Sequence, residues 1–281
     1  MSMEINQKQS FLQGYLAKFP EFPRLREWAT RSASFIIPVL LIVTWQICSW
    51  IGLFHPAALP SPARVWSALL GLLADGTLLS DLDTSALRVL NGFLWGVLIG
   101  LAIGILSGLS RFVERLVSPV VDAFRQIPVF AWIPLIILWF GIGELSKGVI
   151  IAKSVFVPVF VNTLQGIRGV PQEYVEVARV LELNRWKFLH KVVIPSALPS
   201  IFTGIRLGAG FAWMAVVAAE MLGGLSGIGY ALMRSKEFFQ TDGLIALMAV
   251  IGLVGLVVDR SLKWLETSTL RWRKGFAGNG K

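Results

Sequence analysis

Residues 86–109 read ALRVLNGFLWGVLIGLAIGILSGL, and this stretch decides the fold. Beyond Arg88 and Asn91 no charged or amide side chain interrupts it, and it is long enough for one helix to cross a hydrocarbon core of about 30 Å. It lacks the period-two alternation of a barrel strand. Gly92, Gly96, Gly100, Gly104 and Gly108 recur every fourth residue. That interval places them on one helical face, where missing side chains allow another helix to approach closely along the span.

Further apolar runs of similar length lie at 35–54, 117–140, 147–165, 200–222 and 243–262, so six transmembrane helices are predicted. The whole chain agrees: of 281 residues 55% are hydrophobic and 15% charged, where a soluble domain carries roughly 25% charged residues. The fold class is all-α, a polytopic membrane protein. Residues 1–34 are polar and too long for the basic region of a secretory signal, and no small-x-small cleavage pattern follows. The run at 35–54 is therefore a retained span. The predicted organisation is a cytoplasmic segment at 1–34, a membrane domain at 35–265 and a basic cytoplasmic tail at 266–281.

Lysine and arginine outnumber acids 26 to 17, for a net charge of +9. In a soluble protein that excess would suggest nucleic-acid binding; here it reports orientation, because basic residues resist transfer across a bilayer. The amino-terminal segment, the second-to-third and fourth-to-fifth connections and the tail together hold 18 of them, and the alternate connections hold only Arg64, Arg88, Lys147, Arg234 and Lys236. Both termini are predicted to be cytoplasmic, with the lipid bilayer and not nucleic acid as the partner. The single cysteine, Cys48, excludes an internal disulfide and a multi-cysteine zinc site, and His55 and His190 are far apart in the chain. No metal site is expected.

Arg125, Lys153 and Arg206 lie in or near spans, where an ionisable group is a functional candidate by default, although Arg125 and Arg206 are placed to snorkel to the interface. Pro119, Pro128, Pro134 and Pro158 each remove a backbone hydrogen bond inside a predicted span. Lipid tolerates that loss only where neighbours or a hydrated cavity compensate. Arg125 and Gln126 beside Pro128 make 117–140 the candidate pathway span; kinks without function are the competing reading.

The stretch 166–200 is too patterned for a linker. Pro171 suits a first helical turn, Glu173 complements the helix dipole, and Tyr174, Ala178 and Leu181 repeat at helical spacing as a narrow apolar stripe, with Glu176 on the other face. After Leu183 and Asn184 a second short helix, 185–193, presents Trp186, Phe188, Leu189 and Val192 before Pro195 and Pro199 start the next span. The pair, within 166–199, reads as an element that a partner grips.

At these residues the sequence resembles the permease subunits of ATP-binding-cassette importers, whose cytoplasmic signature is Glu-Ala-Ala, three residues, Gly, then an apolar stretch ending in Pro. Here it stands as Glu176-Val177-Ala178, with Ile194-Pro195-Ser196-Ala197-Leu198-Pro199 downstream. Glu182 replaces the usual glycine, which implies a differently shaped bend, since glutamate adopts the left-handed backbone only at a cost. Leu59-Pro60-Ser61-Pro62, Arg88-Val89 with Gly92-Phe93, Ile133-Pro134-Leu135, Trp139 through Gly143, Ala219-Glu220 and Ser226 through Tyr230 narrow the likeness to the aliphatic sulfonate, nitrate and taurine importer permeases.

The resemblance covers about 35–265. It implies a type I, MetI-like permease fold in a bacterial inner membrane and a second permease copy, as a homodimer. It also implies two copies of an ATPase subunit and an extracytoplasmic solute-binding protein. The ATPase-coupling residues it implies are Tyr174, Glu176, Ala178, Leu181, Glu182, Phe188 and Pro195. The chain has no G-x-x-x-x-G-K-[ST] phosphate loop, so ATP and Mg are expected in the partner, with no cofactor and no catalysis in this chain.

The candidate substrate pathway is Arg125, Gln126, Pro128, Arg206 and Glu220. For Glu220 two readings stand, lining the route or pairing with a neighbouring helix, and repulsion between an acid and an anion weighs towards the second. Lys153, Arg206, Glu220 and Asp259 could otherwise form the relay of an ion-coupled secondary transporter. The absence of G-x-S-x-G and H-E-x-x-H patterns speaks against a membrane enzyme.

Overall fold

A computed structural model describes residues 23–55 and 57–270, with side chains from residue 36 onward. The only regular structure among the described residues is helix, with no strand. They divide into two units, 1–63 and 64–281. In the first, α1 (Pro23–Trp50) is followed by turns, and Trp45 donates its indole N–H to the Pro60 carbonyl at 3.0 Å. The apolar part of α1 with described side chains is Ile36–Trp50. The helix starts well before residue 35, and 1–22 lie outside the described residues.

The second unit contains α2 (Pro62–Ala74), α3 (Thr77–Leu109), α4 (Arg111–Gln126), α5 (Val129–Phe140), α6 (Glu144–Arg168) and α7 (Gln172–Val180). It continues with α8 (Arg185–Phe188), α9 (Ile194–Gly223), α10 (Ile228–Glu237) and α11 (Thr241–Thr269). Four helices are long and apolar enough to span a membrane: α3, α6, α8–α9 taken together as Arg185–Gly223, and α11. The pair α4–α5 makes a fifth if counted as one bent span. The last helix runs past residue 265 to Thr269, into the predicted tail, and 271–281 lie outside the described residues.

The core is a three-helix layer with α6 at its centre. A Cβ placed on Gly92 would meet Ile151 at 2.6 Å, on Gly96 Val155 at 2.6 Å, on Gly100 Val159 at 2.9 Å, on Gly104 Thr163 at 2.8 Å and on Gly108 Ile167 at 2.7 Å. Both members of each pair advance by four, so α3 and α6 lie parallel with their four-residue rows in register. The glycine ladder thus serves packing within one chain. On α9, Gly204 faces Asn162 and Pro158 while Gly208 faces Val155, so α9 runs antiparallel to α6. Ile151, Val155 and Val159 on α6 and Ala212, Ala215 and Val216 on α9 are buried in the resulting seam.

Because α3 and α6 are parallel, the chain between them must return across the bundle. The predicted straight span at 117–140 is instead two helices meeting at 101°. Pro128 is the cause. A proline forces the residue before it out of the helical region, and Ile127 is extended at φ −86°, ψ 116°, with Pro128 at φ −54°, ψ 145°. Pro119, Pro134 and Pro158 lie inside continuous helices, so only Pro128 of the four predicted breakers ends one. With Arg111, Glu114, Arg115, Asp122 and Arg125, α4 is amphipathic, and the returning apolar part is α5.

The second short helix predicted at 185–193 is also different. α8 passes through one wide π turn, Leu189–Val193, straight into α9, giving a single helix from residue 185 to 223. Pro195 cannot donate to the carbonyl four residues back, and its ring crowds that carbonyl. The wider turn just before it absorbs the misfit without ending the helix.

Candidate functional site

Most of the polar chemistry described in this apolar bundle falls in three places. One is at the end where α3 and α6 begin and α9 finishes. Arg88 on α3 is buried, and its five N–H groups find five acceptors. Nε and Nη2 grip both Glu144 oxygens at 2.7 and 2.6 Å, Nη1 donates to Glu220 Oε1 at 2.7 Å, and the remaining two donate to the Ser226 carbonyl and hydroxyl, each at 2.8 Å. The planar guanidinium fork is the one side chain that can hold this many acceptors in fixed directions.

Glu220 is 1% exposed. Its carboxylate also accepts from Ser85 Oγ at 2.9 Å and from the Gly229 amide at 3.0 Å. Ser85 in turn accepts from the Ile228 amide at 3.0 Å, and Asp81 from the Gly227 amide at 2.9 Å. Gly227 has φ 100°, and a Cβ there would fall on the Glu220 carboxylate. Only glycine permits both the backbone and the close approach. Lys147 pairs with Glu144 at 3.0 Å, so two cations and two carboxylates balance.

Glu220 is therefore enclosed by its own chain, as the pairing reading expects, rather than open to a solute. Arg88, Ser85, Glu144, Lys147 and Ser226 were not singled out from the sequence as site residues. The available signal was a charge at the edge of an apolar run, which Arg88, Glu144 and Glu220 share.

The opposite end carries the patterned segment. Gln172–Val180 ends in a Schellman motif: the Leu183 amide donates to the Ala178 carbonyl and the Glu182 amide to that of Arg179, each at 3.0 Å. Glu182 occupies the left-handed position, φ 49°, so the backbone keeps the glycine geometry despite the substitution. Asn184 caps α8, its Oδ1 accepting from the Lys187 amide at 2.8 Å.

Tyr174, Val177, Val180, Leu181 and Trp186 are exposed apolar side chains, and Glu176 and Glu182 are exposed beside them. Ala178 is not part of that surface. At 4% exposure it faces the chain's own fold, where α7 packs on the π turn. Phe188 is half-buried against the Ile167, Val193, Ala197 and Ile201 cluster, and Pro195 is half-buried at the start of α9.

The third place is the break between α4 and α5. Arg125, Pro128, Phe130, Lys153, Ser154 and Phe211 line a cavity of about 330 Å³ there, and Gln126 is exposed beside it. Arg125 is 45% exposed and pairs with Asp122 at 3.2 Å. Lys153 Nζ lies 4.8 Å from the Trp132 ring, which stacks on Phe124 at 5.0 Å.

Arg206 is elsewhere, held by Glu266 at 2.9 Å with Asp259 at 3.8 Å. Lys153, Arg206, Glu220 and Asp259 thus form three separate local groups and no common relay. No group of three or more metal-ligating side chains occurs among the described residues.

The chain is similar to known proteins in sequence and fold. The family model for the binding-protein-dependent transport system inner membrane component matches residues 96–271. A putative aliphatic sulfonates transport permease protein, SsuC, of Bacillus subtilis is 40% identical over 243 residues, 86% of this chain and 88% of that protein. The taurine transport system permease protein TauC of Escherichia coli is 34% identical over 241 residues, 84% and 87% of the two chains. An inward-facing structure of the MetNI methionine ABC transporter superposes with a TM-score of 0.58 at 17% identity, covering 69% of this chain and 95% of that one, a likeness of fold. With a matched model over most of its length and full-length relatives, this all-helical, MetI-like chain belongs to the binding-protein-dependent transport system inner membrane components, the permease subunits of ATP-binding-cassette importers.

Proposed function

We propose that this permease carries a small anion, an aliphatic sulfonate in the first instance, delivered by an extracytoplasmic solute-binding protein. The drive is supplied by a partner ATPase that holds ATP and Mg. The observation that carries the coupling part is the unbroken helix Arg185–Gly223. Its first turns sit beside the exposed Tyr174, Val177, Leu181 and Trp186 surface, and its far end supplies Glu220 to the Arg88 network. A partner gripping α7 and α8 therefore holds one end of a rigid lever through the bundle. Tyr174, Glu176, Leu181 and Glu182 are the residues in reach of that partner, and Ala178, Phe188 and Pro195 fix their position. The sulfonate assignment draws on the two relatives, whose named substrates both carry a sulfonate group; nitrate is the alternative within the same chemistry.

We place the segment end in the cytoplasm and the Arg88 end outside. The basic-residue partition supports this, as does the neutralisation of Arg88 and Lys147 by Glu144 and Glu220. Two permease copies and two ATPase subunits form the working unit, with the pathway between the permeases. Impermeant thiol reagents check the orientation. Cysteines at Ala74 and Leu225, both exposed, are expected to react in intact cells, and one at Arg185 is expected to be shielded; Ser235 is too buried to serve, and Ser10 and Asn279 lie outside the described residues. Uptake is measured in vesicles with binding protein, ATPase and ATP. ATP-dependent accumulation of ethanesulfonate is expected, and accumulation driven by an ion gradient without ATP would refute the reading.

A further inference from the structure

We propose that Lys153 and Arg125 form the anion-contacting site of the membrane pathway, in the cavity opened by the break at Pro128. This inference rests on the anion-importer reading and names where in the chain the anion is met. Lys153 is the tenth residue of a 25-residue spanning helix, nine residues in from Glu144. At 1.5 Å per residue that is about 13 Å below the Arg88 network, near the middle of the hydrocarbon. Charges at that depth are costly and face protein or a hydrated cavity rather than lipid.

Other cations set into the bundle are matched by carboxylates: Arg88 has two, Lys147 has Glu144, and Arg206 has Glu266. Lys153 has no carboxylate within 4.0 Å among the described residues. Its neighbour is the face of Trp132, which attracts the ammonium but leaves its charge uncancelled. The Trp132 indole N–H is itself buried without an acceptor among the described residues.

Arg125 brings a second positive group to the same cavity from α4, and its ion-pair partner among the described residues, Asp122, is an exposed residue one turn away on the same helix. The 330 Å³ volume is at the lower end of small-molecule sites. Apart from Ser154 the rest of the wall is apolar, with Phe130, Phe211 and Met214. Two cations set in an apolar wall match a small alkyl chain ending in an oxyanion, where a charge-assisted hydrogen bond is strong because water is scarce.

The complete complex with binding protein, in vesicles, tests this with radiolabelled ethanesulfonate. Lys153→Met keeps the side-chain length and removes the charge; it is expected to lower uptake per ATP hydrolysed by about tenfold or more, while Lys153→Arg retains uptake within about threefold. Assembly with the ATPase is expected to persist in both. A second measurement stands apart from transport: Ser154→Cys in a Cys48→Ser background should react with an anionic methanethiosulfonate, and ethanesulfonate with binding protein and ATP should slow that reaction. Lys153→Met uptake within about twofold of the unmodified protein, or labelling of Ser154→Cys insensitive to the anion, would overturn the site alone. Absence of ATP-dependent ethanesulfonate uptake by the unmodified complex would overturn the functional reading, and the site with it.

Discussion

Arg88 and Glu220, 132 positions apart in the chain, meet at 2.7 Å in a side-chain pair shielded from solvent on both sides. The pair ties α3 to the end of the lever helix α9, and the Ser226–Gly229 turn closes over it. Arg88→Met leaves the Glu220 carboxylate buried without a cation and is expected to destabilise the permease by about 3–5 kcal/mol, whereas Glu220→Gln, which leaves Arg88 paired with Glu144, should cost less. Arg88→Lys should recover little, because an ammonium has three donors where five acceptors wait. Thermal melting of the detergent-solubilised protein measures this, and a melting point unchanged in Arg88→Met would remove the network from the stability account.

The glycine ladder predicts a position-specific response to one methyl group. A Cβ at Gly96 would lie 2.6 Å from the Ala152 carbonyl oxygen, a backbone atom that cannot swing aside. Gly96→Ala should therefore cost about 1–3 kcal/mol by overpacking. Gly148→Ala, with nothing within 4 Å, should be neutral or mildly stabilising, and melting of the two variants side by side decides it.

Glu182 holds a left-handed backbone at φ 49°. Glycine there relieves a steric cost of about 1–2 kcal/mol, reduced by its larger entropy in the unfolded chain. Glu182→Gly is expected to be tolerated in transport. It should slow hydrogen exchange at the Leu183 amide, which closes the Schellman motif; faster exchange would contradict the strain argument.

Substitutions in the patterned segment should separate into two kinds. Tyr174→Ala, Leu181→Ala and Glu176→Lys alter exposed side chains. They should weaken co-purification of the ATPase with little change in permease melting, since truncating a central interface anchor costs about 1–2 kcal/mol or more of binding. Ala178→Trp places a large ring in a closed space and should lower the melting temperature of the permease itself, at a cost of about 1–3 kcal/mol. If Ala178→Trp left melting intact and lost only ATPase binding, the inward placement of Ala178 would be wrong.

What the sequence determined by itself was everything carried by local periodicity and composition. Apolar runs of membrane length, glycines every fourth residue and the Pro171–Glu173 helix start are rules about neighbours in the chain, and the helices follow them. The left-handed position at Glu182 was legible only through the usual glycine of the family it resembles, and the differently shaped bend expected there did not follow, because the backbone keeps that geometry.

Partnership between distant residues was not legible, because no local rule links Arg88 to Glu144 and Glu220, or Arg206 to Glu266. Only the packing of the helices against one another decided that Arg88, Lys147 and Arg206 are neutralised while Lys153 is not. The direction of a short helix's faces was also settled by packing: Ala178, Tyr174 and Leu181 share a stripe by spacing, yet docking on the π turn buries the small residue and leaves the large ones outside. The 101° bend at Pro128 belongs to the same class. Four prolines carry the same local penalty, and the surrounding helices determine which one becomes a corner.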